Sequence, residues 1–249
     1  MESFVELPNL PKGRLKSLIV GEGCPENLLS SLESLGVSVL LCPKNPRVDS
    51  RLSGHADLSV FHLGGKSFLL AKTLKNSAFA EKLLALGADL LFSETEQANI
   101  YPHDASLCAL SMGGRVFHNK KLTDKEIFFK SPLFHDVRQG YAKCAVCPVS
   151  ENAAISSDMG MIPVMKNCGI DVLELSSGGV CLTGFAEGFI GGAAFKLSRD
   201  VIAFTGSLSS LPDREKLLRF LEKQELRPVF LSGGELIDLG SFIPLTEET

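Results

Sequence analysis

Gly54–Leu70, GHADLSVFHLGGKSFLL, decides how the chain is read. A His and an Asp stand two residues apart at its start. An apolar, alternating run follows, turns at Gly64-Gly65 and runs back, the pattern of a β-hairpin. The template recurs. GFIGGAAFKLSRDVIAFT from Gly188 shares Gly, Phe and Leu positions with it, and HDASLCALSMGGRVFHN from His103 repeats the Gly-Gly turn. GYAKCAVCPVSENAAISS from Gly140 turns at Ser150-Glu151-Asn152. Equivalent positions fall at 55, 104, 141 and 189, so the chain is expected to be built from repeats, the alternative being an ordinary α/β sheet whose units look alike because strands do.

Each hairpin is expected to lead into a helix and a further strand. Helical spacing of apolar residues marks Ala78–Leu86, Met159–Cys168 and Asp213–Gln224. Gly87 and Gly169 suit the position after a helix that needs φ > 0. Short apolar strands then follow at Asp89–Phe92, Asp171–Leu175 and Pro228–Leu231. The N-terminal segment fits with Ser17–Val20 as strand, Glu26–Leu35 as helix and Val37–Leu41 as strand. The second hairpin has the weakest continuation, a short Thr123–Lys130. A fifth unit is expected between the tail, Gly240–Leu245, and the N-terminal strands. No Pro/Gly/Ser-rich linker separates the units, so residues 1–249 are expected to form a single domain.

Bulk properties narrow the function. Hydrophobic residues make up 45% of the chain, enough for a sizeable core, and the net charge of -4 offers no basic surface for nucleic acid. No apolar run approaches the roughly 20 residues that span a bilayer. The N-terminus, MESFVELPNLPKGRLK, lacks the pattern of a signal peptide. Seven cysteines without scaffold spacing suit a reducing cytoplasm. The oligomeric state is not written in these features.

Five strand-strand-helix-strand units around a pseudo-fivefold axis resemble the pentein fold, the α/β-propeller of guanidine-modifying enzymes such as arginine deiminase, agmatine deiminase and the amidinotransferases. Gly54-His55-Ala56-Asp57 looks like the GHxD motif that carries the catalytic His in several of them. GHAD, GYAKC, GFIGGA and the tail LIDLGSFIPL together resemble a group of uncharacterised bacterial proteins assigned to this fold. In such a propeller the first-strand positions would ring the axis, placing His55, Asp104, Tyr141 and Phe189 in one layer. Asp57, Ser106, Lys143 and Gly191 would form the next, since residues two apart on a strand share a face. The expected pocket takes a small molecule through Asp104, Tyr141, Lys143 and Gly191.

The resemblance implies a hydrolase or transferase acting on a guanidino, amidino or related C–N bond. His55 would be its acid/base and Asp57 a carboxylate for the N–H forks. The family nucleophile is a Cys near the C-terminus, where this chain has Gly240-Ser241-Phe242-Ile243-Pro244-Leu245, with Pro244 about where the thiol is expected. Two other thiols are candidates. Cys181, in Gly178-Gly179-Val180-Cys181-Leu182-Thr183, resembles the nucleophile segment in a circularly permuted order. Cys144 follows Lys143, whose ammonium would lower a thiol pKa, yet strand alternation points it to the opposite face from Lys143 and Tyr141. Cys144 and Cys147 form a CxxC without a second ligand pair, so no metal and no cofactor are expected. Cys24, Cys42, Cys108 and Cys168 suit core positions. Glu235 and Asp238 could reach the axis from the closing strand. The alternative is a non-catalytic pentein that binds a small ligand or a macromolecular partner at its axial face.

Overall fold

A computed structural model describes residues 1–248. Five small mixed sheets follow the chain, and each joins an antiparallel pair of strands to a third, parallel one. The hairpin of Gly54–Leu70 supplies Val60–Gly64 and Ser67–Leu70, with Val60 opposite Leu70 and His62 opposite Phe68. Gly64 and Gly65 turn it at φ +117 and +52, conformations that side chains avoid. Asp89–Phe92 then adds in parallel beside Ser67–Leu70. Two parallel neighbours need a crossover, and the helix Ala78–Ala85 supplies it. The Ser77 side chain caps this helix by accepting the Ala80 N–H, and Gly87 ends it at φ +92.

The other units repeat the order. Leu110–Met112 and Arg115–His118 are joined through the helix Lys125–Lys130 to Phe134–Asp136. Val146–Ser150 and Ala153–Ser156 lead through Ile162–Asn167 to Asp171–Glu174. Ala194–Lys196 and Val201–Phe204 lead through Arg214–Lys223 to Arg227–Phe230. In the remaining unit Arg14–Gly21 connects through Glu26–Ser34 to Ser38–Cys42, and the tail strand Ile243–Glu248 pairs antiparallel with Arg14–Gly21. The short strand Glu2–Phe4 lies on the outer edge of that tail strand.

Each crossover helix buries one stripe. Arg214–Lys223 turns Leu217, Phe220 and Leu221 inward, where they join Ile155, Ile202 and Phe204. Burying each such side chain contributes about 1.5–3 kcal/mol before the entropy of ordering it is charged. Among the described residues no helix is long and apolar enough to cross a membrane.

One sequence expectation fails at the point that matters for the site. The segments before the hairpin strands are not strand. Ala56–Leu58 is a 3₁₀ turn with His55 at its N-terminal boundary, and Ala142–Ala145 and Ile190–Ala193 are single helical turns. The hairpin strands begin only at Val60, Val146 and Ala194. Backbones approach one another closely at these turns. A Cβ on Gly191 would lie 2.2 Å from the Val146 carbonyl oxygen and 2.6 Å from that of Cys144. Helical spacing replaces the two-residue alternation, and side chains three and four apart meet on one side.

Candidate functional site

The 3₁₀ turn carries Asp57 into the interior, where it is 1% exposed. Its backbone N–H donates to the Gly240 carbonyl at 3.2 Å. Its Oδ2 accepts two hydrogen bonds, from the Cys144 thiol at 2.8 Å and from the Ser241 hydroxyl at 2.7 Å. Its Oδ1 is buried without a partner among the described residues. Cys144 is thus not turned away from the polar face. Its placement on a helical turn aims its thiol at Asp57, which corrects the expectation from strand alternation. Cys144 also meets the Cys108 thiol, and that contact, burial and the Asp57 charge push its pKa well above the ordinary thiol value.

On the other side of the sulfur stand His55 and Asp238. Ligand atoms of His55, Cys144 and Asp238 lie within 4.8 Å of one another, and all three residues are buried. Asp238 is fixed by backbone donors, Phe189 N–H to Oδ2 and Gly240 N–H to Oδ1, both at 2.9 Å. Burial raises its pKa, and the neighbouring His55 pulls in the opposite direction. Two glycines make room here. A Cβ on Gly192 would sit 1.7 Å from Asp238 Oδ1, and one on Gly240 would sit 2.1 Å from His55 Cβ. His55 and Asp238 line one wall of a cleft of about 200 Å³ that also touches Glu22, Lys44, Arg51 and Thr183.

Other predicted residues fall nearby. The Tyr141 hydroxyl donates to Asp104 Oδ2 at 2.7 Å, so these two ring positions do meet. Burial raises the pKa of both groups. Lys143 is buried and lines, with Asp57 and His62, a cavity of about 10 Å³, room for one water molecule. Gly191 offers its carbonyl to Ser241 Oγ at 3.2 Å. Phe189 contributes its backbone N–H rather than its ring.

Two expectations about the nucleophile meet a different geometry. Cys181 lies in Val180–Cys181, paired with Leu236–Ile237, and is exposed with its thiol 3.1 Å from Glu235 Oε2. That hydrogen bond raises its pKa, as the Cys108 contact and burial do for Cys144, so the two thiols are told apart by their neighbours: Cys144 stands with His55 and Asp238. Pro244 sits inside the tail strand opposite Leu18, and the terminal side chain that reaches Asp57 is Ser241, three positions earlier. Sequence reasoning missed Ser241 and Cys108. The signal available for Ser241 was its place directly after Gly240. For Cys108 there was none beyond its position in the second template copy.

The fold is the one shared by solved pentein-fold proteins. An amidinotransferase of saxitoxin biosynthesis from Microseira wollei matches with a TM-score of 0.58 at 11% identity, covering 98% of each chain. An inosamine-phosphate amidinotransferase from Streptomyces griseus matches at 0.56 and 13% identity, over 98% of this chain and 97% of that one. DDAH from Pseudomonas aeruginosa matches at 0.52 and 10% identity, over 88% and 92%. No curated protein sequence matches significantly. Residues 19–243 match the model of a family of unknown function (DUF6873), and the chain belongs to that family.

Proposed function

We propose that residues 1–249 form one pentein-type α/β-propeller with pseudo-fivefold symmetry, acting on a small molecule with a guanidino, amidino or related C–N group as a hydrolase or transferase. One observation carries this reading: His55, Cys144 and Asp238 converge beside a cleft that His55 and Asp238 line. The guanidine-modifying enzymes that share the fold support the substrate class. Seven free thiols suit a cytoplasmic setting.

The chemistry follows from the groups present. Cys144 begins as a thiol and gives its proton to Asp57, which already accepts its hydrogen bond. The thiolate forms a C–S bond to the planar carbon, and the C=N electron pair moves onto nitrogen. Asp238 accepts N–H donors of the bound cation. The tetrahedral centre collapses, the C–N bond to the leaving amine breaks, and His55 protonates that amine. In a hydrolase His55, now neutral, takes a proton from water as its oxygen bonds the carbon, the C–S bond breaks, and the departing thiolate recovers its proton from Asp57; in a transferase a second amine takes the place of water.

A second reading, a non-catalytic protein that binds a ligand at the same face, is favoured by the burial of Cys144, which is 4% exposed. Incubation with arginine, agmatine and related guanidines, read as ureido product and ammonia, separates the two. Turnover should fall about 10²–10⁴-fold in His55→Ala and vanish in Cys144→Ala, with Cys181→Ala active. Ligand binding by calorimetry without any product selects the second reading. Product formation unchanged in Cys144→Ala removes that thiol from the mechanism.

A further inference from the structure

Cys144 belongs to two clusters at once. Besides the set with His55 and Asp238, ligand atoms of Asp57, Cys108 and Cys144 lie within 4.8 Å of one another, all from buried residues. This second set joins three units of the chain. Asp57 precedes Val60–Gly64, Cys108 precedes Leu110–Met112, and Cys144 precedes Val146–Ser150. Cys108 is fully buried and packs beside Leu58 and Val48.

Three features of this cluster suit a cation. Two thiols and a carboxylate are the donor set that a borderline-soft divalent ion selects. Asp57 Oδ1 is buried and, among the described residues, unpartnered, and a buried carboxylate oxygen is costly to leave unsatisfied. Asp57 and Asp238 also bring two carboxylates close together, with His55 and Lys143 as the basic groups of their surroundings. Bonds of roughly 2.3 Å to sulfur and 2.0–2.2 Å to oxygen would draw the three donors inward from their present spread.

We propose that Asp57, Cys108 and Cys144 form a binding site for a divalent cation of the zinc class, which ties three sheet units together at the interior. The ion enters from the cleft past His55 and Asp238. Both thiols lose their protons to solvent on binding. The fourth position is left to a water or to His55. This departs from the sequence expectation of no metal, and it does not rest on the guanidine reading. Asp57 and Cys144 are common to both, so metal loading and turnover must be measured apart.

The test uses the full chain, stripped with a chelator and titrated with Zn²⁺ against a chromophoric competitor. One ion should bind per chain, thermal unfolding should shift upward, and Cys108→Ser should weaken binding by about 100-fold or more, given that even outer-shell changes cost 10–100-fold. Cys181→Ser and Cys168→Ser should bind as the parent does, although Cys181 faces Glu235 and Cys168 lies 3.3 Å from His135 Nδ1. Zinc-edge X-ray absorption on the unaltered protein should show two sulfur neighbours, a readout that survives a misfolded Cys108→Ser. No uptake, a single sulfur or none, or binding lost in Cys181→Ser or Cys168→Ser with Cys108→Ser intact overturns the proposal. Guanidine turnover enters none of these outcomes.

Discussion

Cys144 and Cys181 are the two thiols that the sequence offers as nucleophiles, and the fold treats them in opposite ways. Cys181 sits in the stretch that looks more like a nucleophile segment, yet it is exposed and its thiol is hydrogen-bonded to Glu235. Cys144 sits in a stretch whose period seemed to turn it away, yet it lies between Asp57, Cys108, His55 and Asp238. A local motif tells which atoms are available. Their neighbours are set by the backbone, which winds Ala142–Ala145 into a helical turn.

The contrast can be broken most sharply by thiol labelling. Cys181 should react with iodoacetamide in the native protein, slowed by its raised pKa. Cys144 should react only through opening of the fold, about 10³-fold or more slower for a domain of ordinary stability. Mass spectrometry of partially labelled protein measures the ratio, and equal rates would place both thiols at the surface. Next in size is Asp57→Ala, which strips the acceptor from two buried donors at about 1–3 kcal/mol each. Urea unfolding should show a loss of about 4 kcal/mol, against less than about 0.5 kcal/mol for Glu235→Ala at the exposed pair.

Gly240→Ala is expected to cost about 3 kcal/mol. Its φ of +71 disfavours a side chain, and the new Cβ overlaps His55. A loss below about 1 kcal/mol in urea unfolding would mean that His55 moves aside freely. A pH effect of roughly 2–3 kcal/mol comes from each of His62 and His118, whose pKa values burial lowers from 6.5 to about 4. The unfolded chain binds more protons between those values, so stability is highest above pH 6.5 and falls as pH drops toward about 4. Asp104 and Asp238, raised by burial, oppose part of that loss. Thermal melts across this range should show the decline, and His118→Gln should flatten it. The smallest effect is Cys181→Ala, within about 0.5 kcal/mol of the parent by the same melts.

Much of the architecture was legible because it rests on periodicity and punctuation. The helices at Ala78–Ala85 and Arg214–Lys223 and the turn at Gly64-Gly65 follow from local rules that tertiary structure did not override. Phe134–Asp136 was missed, since three residues between polar neighbours carry no period. At the site, the placing of Asp104 and Tyr141 in one layer came from aligning repeats, while the hydrogen bond between them did not. The orientation of Cys144 could not, because the alignment gave equivalence of positions without saying that the backbone there is coiled. Ser241 has positive φ without being glycine, a conformation that no composition rule anticipates.

The pairing of the tail strand with Arg14–Gly21 sets a timetable for the site. Glu2 lies opposite Glu248, and Asp57 waits for a hydroxyl 184 residues further along the chain. During synthesis the hairpins and their crossover helices can form as they emerge, but the pocket around Asp57 stays open on one side until Ser241 and the last strand arrive. A nascent chain therefore carries an uncapped buried carboxylate and an unpaired strand edge for most of its production. The hydrogen bonding of Asp57 is completed in one late step.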